Sequence, residues 1–228
     1  MEMTEKRRWR FKAPEMEGPI ARWYARVRCT ARQRKAYRKQ AAQLIAGLPA
    51  NARVLEVAPG PGYLAIEMAR LGAYVTGLDI SRTFVEIATD AARHAGMAVD
   101  FQLGDVAEMP FANGSFDLVV CQAAFKNFTL PRSALAEMHR VLRAGGTAVI
   151  QDMSRHATHA DIDREVDGME LGRVGTFTTK ATLEMLKRRA YAPAQFERLA
   201  RQSPFQTCEI RTEGIGLEVR LTKEEEAK

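Results

Sequence analysis

Three carboxylates and a glycine-proline turn are the residues of this chain best placed to do chemistry. Glu56 stands just ahead of Ala58-Pro59-Gly60-Pro61-Gly62, Asp79 closes the run Ala73-Tyr74-Val75-Thr76-Gly77-Leu78-Asp79, and Asp105 follows Gly104. Glycine at 60 and 62 lets the main chain approach a ligand and tolerates positive φ. A carboxylate at a strand's carboxyl end can accept hydrogen bonds from ribose hydroxyls, and one on the next strand can accept from an exocyclic adenine amine. Each feature has a plainer reading. Asp79 and Ser81 are both good helix caps, and glycine in a strand-to-helix turn is common for steric reasons alone. Three successive strands delivering the turn, Asp79 and Asp105 to one edge are harder to explain by capping. Together they point to a nucleotide-like ligand.

The elements that position these groups alternate. Val54 to Val57 reads as a buried strand that opens through the turn into a helix, Leu64 to Leu71. Strand 73–79, a helix Thr83 to Ala95 and a strand Val99 to Leu103 follow. Further strands end near Val120 and Ile150. This alternation predicts a parallel sheet with right-handed crossovers and helices on both faces. Thr207 to Thr212, a turn at Glu213-Gly214-Ile215-Gly216, and Leu217 to Leu221 read as a terminal hairpin that adds an antiparallel last strand.

The ordered motifs Glu56-Val57-Ala58-Pro59-Gly60-Pro61-Gly62, Gly77-Leu78-Asp79-Ile80-Ser81, and Gly104-Asp105-Val106 with Met109-Pro110-Phe111 resemble the class I methyltransferases that use S-adenosylmethionine. Phe116 to Cys121 and the helix Ala134 to Arg143, ending in Gly145-Gly146, extend the resemblance, which covers roughly residues 50 to 152. It implies a Rossmann-like α/β fold: a seven-stranded sheet, mostly parallel with an antiparallel last strand, helices on both faces and a helical lid. It implies S-adenosylmethionine as cofactor, S-adenosylhomocysteine as product, and Glu56, Ala58, Gly60, Gly62, Asp79, Ile80, Asp105, Val106 and Cys121 as cofactor contacts. Ala58 departs from the family, which has glycine there.

A dinucleotide reading competes, because Gly60-Pro61-Gly62-Tyr63-Leu64-Ala65 fits a loose G-x-G-x-x-[GA] fingerprint of NAD(P)-binding oxidoreductases. A pyrophosphate needs free backbone N–H groups at the helix start, and Pro59 and Pro61 remove two of them. Glu56 would repel phosphate but suits an amino group and a sulfonium. A methyltransferase-like protein that binds the cofactor without turnover is a further alternative.

Composition fits one domain with additions. The 228 residues are 46% hydrophobic, normal for a globular chain. No apolar run is long enough to span a bilayer, and Met1 to Lys12 lacks a signal-like core. Cys29, Cys121 and Cys208 lack metal-ligand spacing, so no metal is expected, and a cytoplasmic location fits. The net charge of +6 is uneven. Residues 1–40 hold 13 Lys and Arg against 4 Asp and Glu, or +9, and the rest 21 against 24, or −3. Such an arm can bind anions, but Ala36, Ala41, Leu44, Ile45 and Leu48 recur at helical spacing and predict a cover helix over Arg28 to Leu48. Nucleic acid is not an expected partner, and monomer and homodimer both remain open.

The expected segments are an N-terminal helical arm (1–48), the cofactor core (49–152), a helical lid (153–204), the hairpin (205–222) and a tail (223–228). Within the lid the sequence predicts a polar loop bearing His156 and His159, a helix Asp161 to Leu171, a turn at Gly172-Arg173-Val174-Gly175, and helices Lys180 to Arg189, started by Thr179, and Pro193 to Gln202. The acceptor is expected to be a small molecule. Should it need to lose a proton, Asp152, His156 and His159 are the candidate bases, with Tyr24, Lys126 and Asn127 as acceptor contacts. Trp9, Phe11 and Trp23 could add aromatic walls, and His139 is read as structural.

Overall fold

The computed structural model describes residues 16–169 and 171–225. Two helices, α1 (Gly18–Val27) and α2 (Ala31–Ile45), precede the alternating core. The core runs β1 (Arg53–Val57), α3 (Tyr63–Arg70), β2 (Tyr74–Asp79), α4 (Arg82–His94), β3 (Val99–Leu103), β4 (Phe116–Gln122), α5 (Pro131–Val141) and β5 (Leu142–Met153). Helices α6 (His159–Asp167), α7 (Arg173–Lys187) and α8 (Pro193–Arg201) come next, then β6 (Glu209–Glu213) and β7 (Gly216–Thr222). The seven strands are ordered β3-β2-β1-β4-β5-β7-β6, with β7 antiparallel to both neighbours and the pairings among β1–β5 parallel. Trp9 and Phe11 lie outside the described residues.

The buried central strands are apolar on both faces, as parallel strands covered by helices must be. One face packs Leu55, Val57, Val119 and Ile150 against Leu135, Met138 and Val141 of α5 and Phe196 of α8. The other packs Val54, Val75, Leu118, Val120 and Val149 under Leu64, Ala65 and Met68 of α3 and Tyr37, Ala41 and Leu44 of α2. Strand alternation puts Glu56 on this second face, beneath α2 and α3. Side chains of matching register also tie α2 to the sheet. Gln122 of β4 donates to Gln40 Oε1 at 2.6 Å, Gln40 donates to Gln151 of β5, and Gln151 donates to Glu218 of β7 at 2.7 Å.

Four expectations are corrected. The cover helix expected over Arg28 to Leu48 is α2, which the Thr30 hydroxyl starts by accepting from Gln33 N–H, with α1 a separate helix ahead of it. Its buried face runs through Tyr37 rather than Ala36, which is exposed. The sequence 172–175 is no turn, since Gly172 caps α7 in extended backbone and Thr176 N–H already bonds its carbonyl. Thr179 therefore lies inside α7, where the neighbouring Thr178 and Thr182 hydroxyls bond carbonyls one turn back instead of capping. Helix α5 ends at Val141, and Gly145-Gly146 belong to an irregularity in β5 where the register against β4 jumps between Phe116–Leu142 and Leu118–Thr147.

Candidate functional site

The carboxyl ends of β1, β2 and β3 converge on a cleft lined by Ala58, Leu78, Ile80, Gly104, Asp105, Val106 and Ala107. Its other wall is the loop after β4, Asn127 to Leu130. The turn after β1 is built by left-handed backbone at Ala58 (φ 53°), Gly60 (φ 55°) and Gly62 (φ 75°). The two glycines do different jobs. A Cβ on Gly62 would stand 2.6 Å from the Phe101 ring and 2.8 Å from Ala88, so glycine lets α3 close onto β3 and α4. A Cβ on Gly60 would meet nothing within 4 Å, which leaves its face open to a ligand.

The N–H groups of the turn are already engaged. Ala58 N–H donates to the Leu78 carbonyl at 2.8 Å, Gly60 N–H to Asp79 Oδ2 at 2.9 Å, and Gly62 N–H to the Pro59 carbonyl at 3.1 Å. Pro59 and Pro61 have no N–H to give. A phosphate would therefore find no donor in residues 58–62, and the turn is not a pyrophosphate cradle.

Glu56 is the electrostatic anomaly of the site. It is buried, and its Oε2 has no hydrogen-bond partner. Burial, with a smaller push from the Asp79 charge, raises its carboxyl to about 8. An unpaired buried carboxylate oxygen costs free energy; a cationic group brought beside it would recover that cost. Asp79 is buried too. Its Oδ1 accepts from Ser81 N–H at 2.9 Å while Oδ2 holds Gly60, and burial lifts its carboxyl to about 6 against these bonds. Each oxygen keeps a second lone pair for a ligand hydroxyl. Asp105 lines the cleft and uses Oδ1 to accept from Ala107 N–H at 2.9 Å.

The remaining sequence candidates separate. Asn127 lines the cleft. Lys126 and Asp152 instead bind each other: Lys126 Nζ donates to Asp152 Oδ1 at 2.7 Å, and Asp152 also accepts from the Lys126 and Met153 N–H groups. Both side chains are buried, so the pair clamps the loop after β4 to the end of β5 and offers neither a free base nor a free cation. Cys121 packs in the core between its strand neighbours Val57 and Ile150, its thiol driven upward by burial. His156 is exposed; His159, the first residue of α6, is 84% exposed and paired with Glu184 of α7 at 2.6 Å. Neither histidine lines the cleft. Tyr24 stands edge-on to Phe84, where it helps dock α1 on α4. His139 stacks edge-on against Phe205, a structural position.

Two contributions escaped the sequence. Phe128, Thr129 and Leu130 line the cleft directly before Pro131 opens α5, and that helix-starting proline was the available signal. Glu17 caps α4, accepting from the Arg82 and Thr83 N–H groups at 2.8 and 3.1 Å, while Ser81 hydroxyl donates to the Met16 carbonyl at 2.8 Å. The start of α1 is thereby latched beside Asp79. Among the described residues, no group of three or more His, Cys, Asp and Glu is placed to hold a metal ion.

Comparison with known proteins agrees with this geometry. Residues 55–150 match the model of a methyltransferase domain. The chain is 39% identical over 109 residues to the ubiquinone/menaquinone biosynthesis C-methyltransferase UbiE of Desulfotalea psychrophila, covering 47% of this chain and 44% of that one. It is 33% identical over 108 residues to the ubiquinone biosynthesis O-methyltransferase of Xanthomonas axonopodis, covering 47% and 45%. The match thus spans a little under half the length of these curated relatives. In three dimensions it is similar to a putative S-adenosyl-L-methionine-dependent methyltransferase from Methanococcus maripaludis, with a TM-score of 0.75 over 99% of both chains at 18% identity.

Proposed function

The chain carries a class I S-adenosylmethionine-dependent methyltransferase domain, centred on residues 55–150, and from that premise we propose that it transfers a methyl group to a small organic acceptor. The observation that carries the reading is the buried, unpartnered Oε2 of Glu56 beside a turn with no N–H to spare. That pairing suits a ligand with an ammonium group and no phosphate.

When bound, the cofactor would supply an electrophilic methyl on a sulfonium, whose departure leaves a neutral thioether. The residues have distinct tasks around it. Glu56 would hold the amino-acid end, Asp79 the ribose hydroxyls, and Asp105 with Ile80, Val106 and Leu78 the base. Because no anion develops on the leaving group, the protein's work is alignment and exclusion of water, where effective molarities reach roughly 10⁵–10⁸ M. The Lys126–Asp152 clamp sets the loop carrying Asn127, Phe128, Thr129 and Leu130. Its mixture of two apolar and two small polar side chains suits an acceptor with both an apolar body and a polar group. The two relatives' names cover carbon and oxygen acceptors, and either would be served by alignment.

The N-terminal arm and the α6–α7 segment act, in this reading, as a lid. Support comes from their approach: the Arg32 guanidinium of α2 lies 3.6 Å from where a Cβ on Gly168, at the end of α6, would stand. The test is methyl-labelled S-adenosylmethionine supplied with metabolite, RNA and protein fractions of a cell extract. Label should enter the small-molecule fraction. Label confined to RNA or protein would overturn the acceptor class, and cofactor binding without transfer to any fraction would make the protein a non-catalytic binder.

A further inference from the structure

Two exposed apolar stripes remain outside the cleft. On α1, Ala21 and Ala25 face inward while Ile20, Trp23 and Val27 stand 52%, 62% and 43% exposed along the opposite side. Their spacing of three and four residues makes one continuous stripe. On α7, which buries no residue, Val174 and Phe177 are 79% and 74% exposed, with Met185 two turns further along the same face and Leu171 just ahead of the helix. The Arg32–Gly168 approach joins the start of α2, the helix after α1, to the end of α6, the helix before α7.

The charge around the first stripe is one-sided. Residues 18–45 hold eight Arg and Lys (Arg22, Arg26, Arg28, Arg32, Arg34, Lys35, Arg38, Lys39) and no Asp or Glu. Glu17, next to α1, has its carboxylate turned onto the start of α4. The acids of the second stripe's surroundings are partly matched, Asp163 by Lys180 at 2.6 Å and Glu184 by His159 and Lys187. A helix that exposes Trp and branched aliphatics between arginines, with no acidic residue, is the pattern of a segment that lies in a bilayer interface. A protein partner or a second copy of this chain would have to offer an acidic rim to the same arginines. An anionic lipid surface supplies that charge and an apolar interior together.

We propose that α1, with α7 beside it, seats this protein on anionic lipid membranes without crossing them. Among the described residues no helix is long and apolar enough to span a bilayer. The stripes would bury Trp23 and Phe177 among the acyl chains while Arg22 and Arg26 meet the headgroups, bringing the mouth of the cleft to the lipid.

The test uses the full chain, without cofactor or acceptor, and vesicles of equal parts phosphatidylglycerol and phosphatidylcholine, or of phosphatidylcholine alone. The protein should co-sediment with the anionic vesicles, and binding should fall as salt rises. The Arg22→Glu/Arg26→Glu variant should lose on the order of tenfold or more in affinity. Trp23→Ser/Phe177→Ser should lose binding while keeping its circular dichroism and its thermal midpoint. No binding to anionic vesicles, undiminished binding by both variants, or a dimer in light scattering that the Trp23→Ser/Phe177→Ser change dissolves would each overturn the proposal. Since cofactor affinity is measured separately, failure here leaves the methyltransferase reading standing.

Discussion

Gly60 N–H donates to Asp79 Oδ2 at 2.9 Å, so the turn after β1 and the end of β2 are one hydrogen-bonded unit. The carboxylate read as a ribose acceptor is also the peg on which the glycine turn hangs. Asp79→Ala should therefore do two things at once: remove cofactor affinity and, by orphaning the part-buried Gly60 N–H and the buried Ser81 N–H, cost stability of about 1–3 kcal/mol. Asp79→Asn, which keeps one acceptor oxygen, should recover much of the stability without restoring affinity. Chemical denaturation with calorimetry of S-adenosylhomocysteine on both variants separates the roles. Wild-type affinity in Asp79→Ala would show the ribose assignment to be wrong.

Ala58 occupies left-handed backbone at φ 53°, held there by its N–H bond to the Leu78 carbonyl. A residue with a Cβ is strained in that region by about 1–2 kcal/mol. Ala58→Gly should relieve the strain and, after glycine's larger unfolded-state entropy, raise stability by up to about 1 kcal/mol. The check is the urea midpoint. A drop would mean that the Ala58 methyl packs better than the backbone argument allows.

Breaking the buried Lys126–Asp152 pair from one side should be costly. Lys126→Met leaves Asp152 buried and uncompensated, a loss of about 3–5 kcal/mol, whereas Lys126→Met/Asp152→Leu should lose much less. A double-mutant cycle in urea measures this. If Asp152 were instead a free base, Asp152→Asn would abolish turnover with little change in stability.

Burial gives the ligand-free protein a pH dependence through Glu56. Its folded carboxyl sits at about 8 against 4.5 unperturbed, so the native state holds a proton that the unfolded chain has released. Its stabilising contribution is complete below 4.5 and is lost as pH rises towards about 8. Asp79 adds a loss of the same sign between 3.8 and about 6. The Tm of the wild type should fall more between about pH 5 and pH 8 than that of Glu56→Gln. Parallel curves would place the Glu56 carboxyl at an ordinary value.

The sequence made legible what is local or strictly ordered. The hydrophobic runs ending at Val57, Leu78, Leu103, Val120 and Ile150 name the parallel strands, and the Gly60-Pro61-Gly62, Asp79 and Asp105 series names the edge to which they point. Glu213-Gly214-Ile215-Gly216 marked the hairpin. What stayed hidden depended on partners far along the chain. Lys126 and Asp152 looked like separate functional groups because their pairing requires β4 beside β5, and His159 looked available until α7 brought Glu184 to it. The Glu17 latch joins residues more than sixty positions apart. Within α7 the error was chemical: glycine and threonine read as turn and cap signals, yet both fit an exposed helix whose threonine hydroxyls bond its own carbonyls.

The most direct test is titration calorimetry of the purified chain with S-adenosylhomocysteine and with NAD(H) near pH 7, in two buffers of different ionisation enthalpy. The account predicts binding of S-adenosylhomocysteine with release of a fraction of a proton, as its ammonium holds Glu56 ionised. It predicts no binding of NAD(H), and loss of both affinity and proton release in Glu56→Gln. Tight binding of NAD(H) without S-adenosylhomocysteine, or unchanged binding by Glu56→Gln, would contradict it.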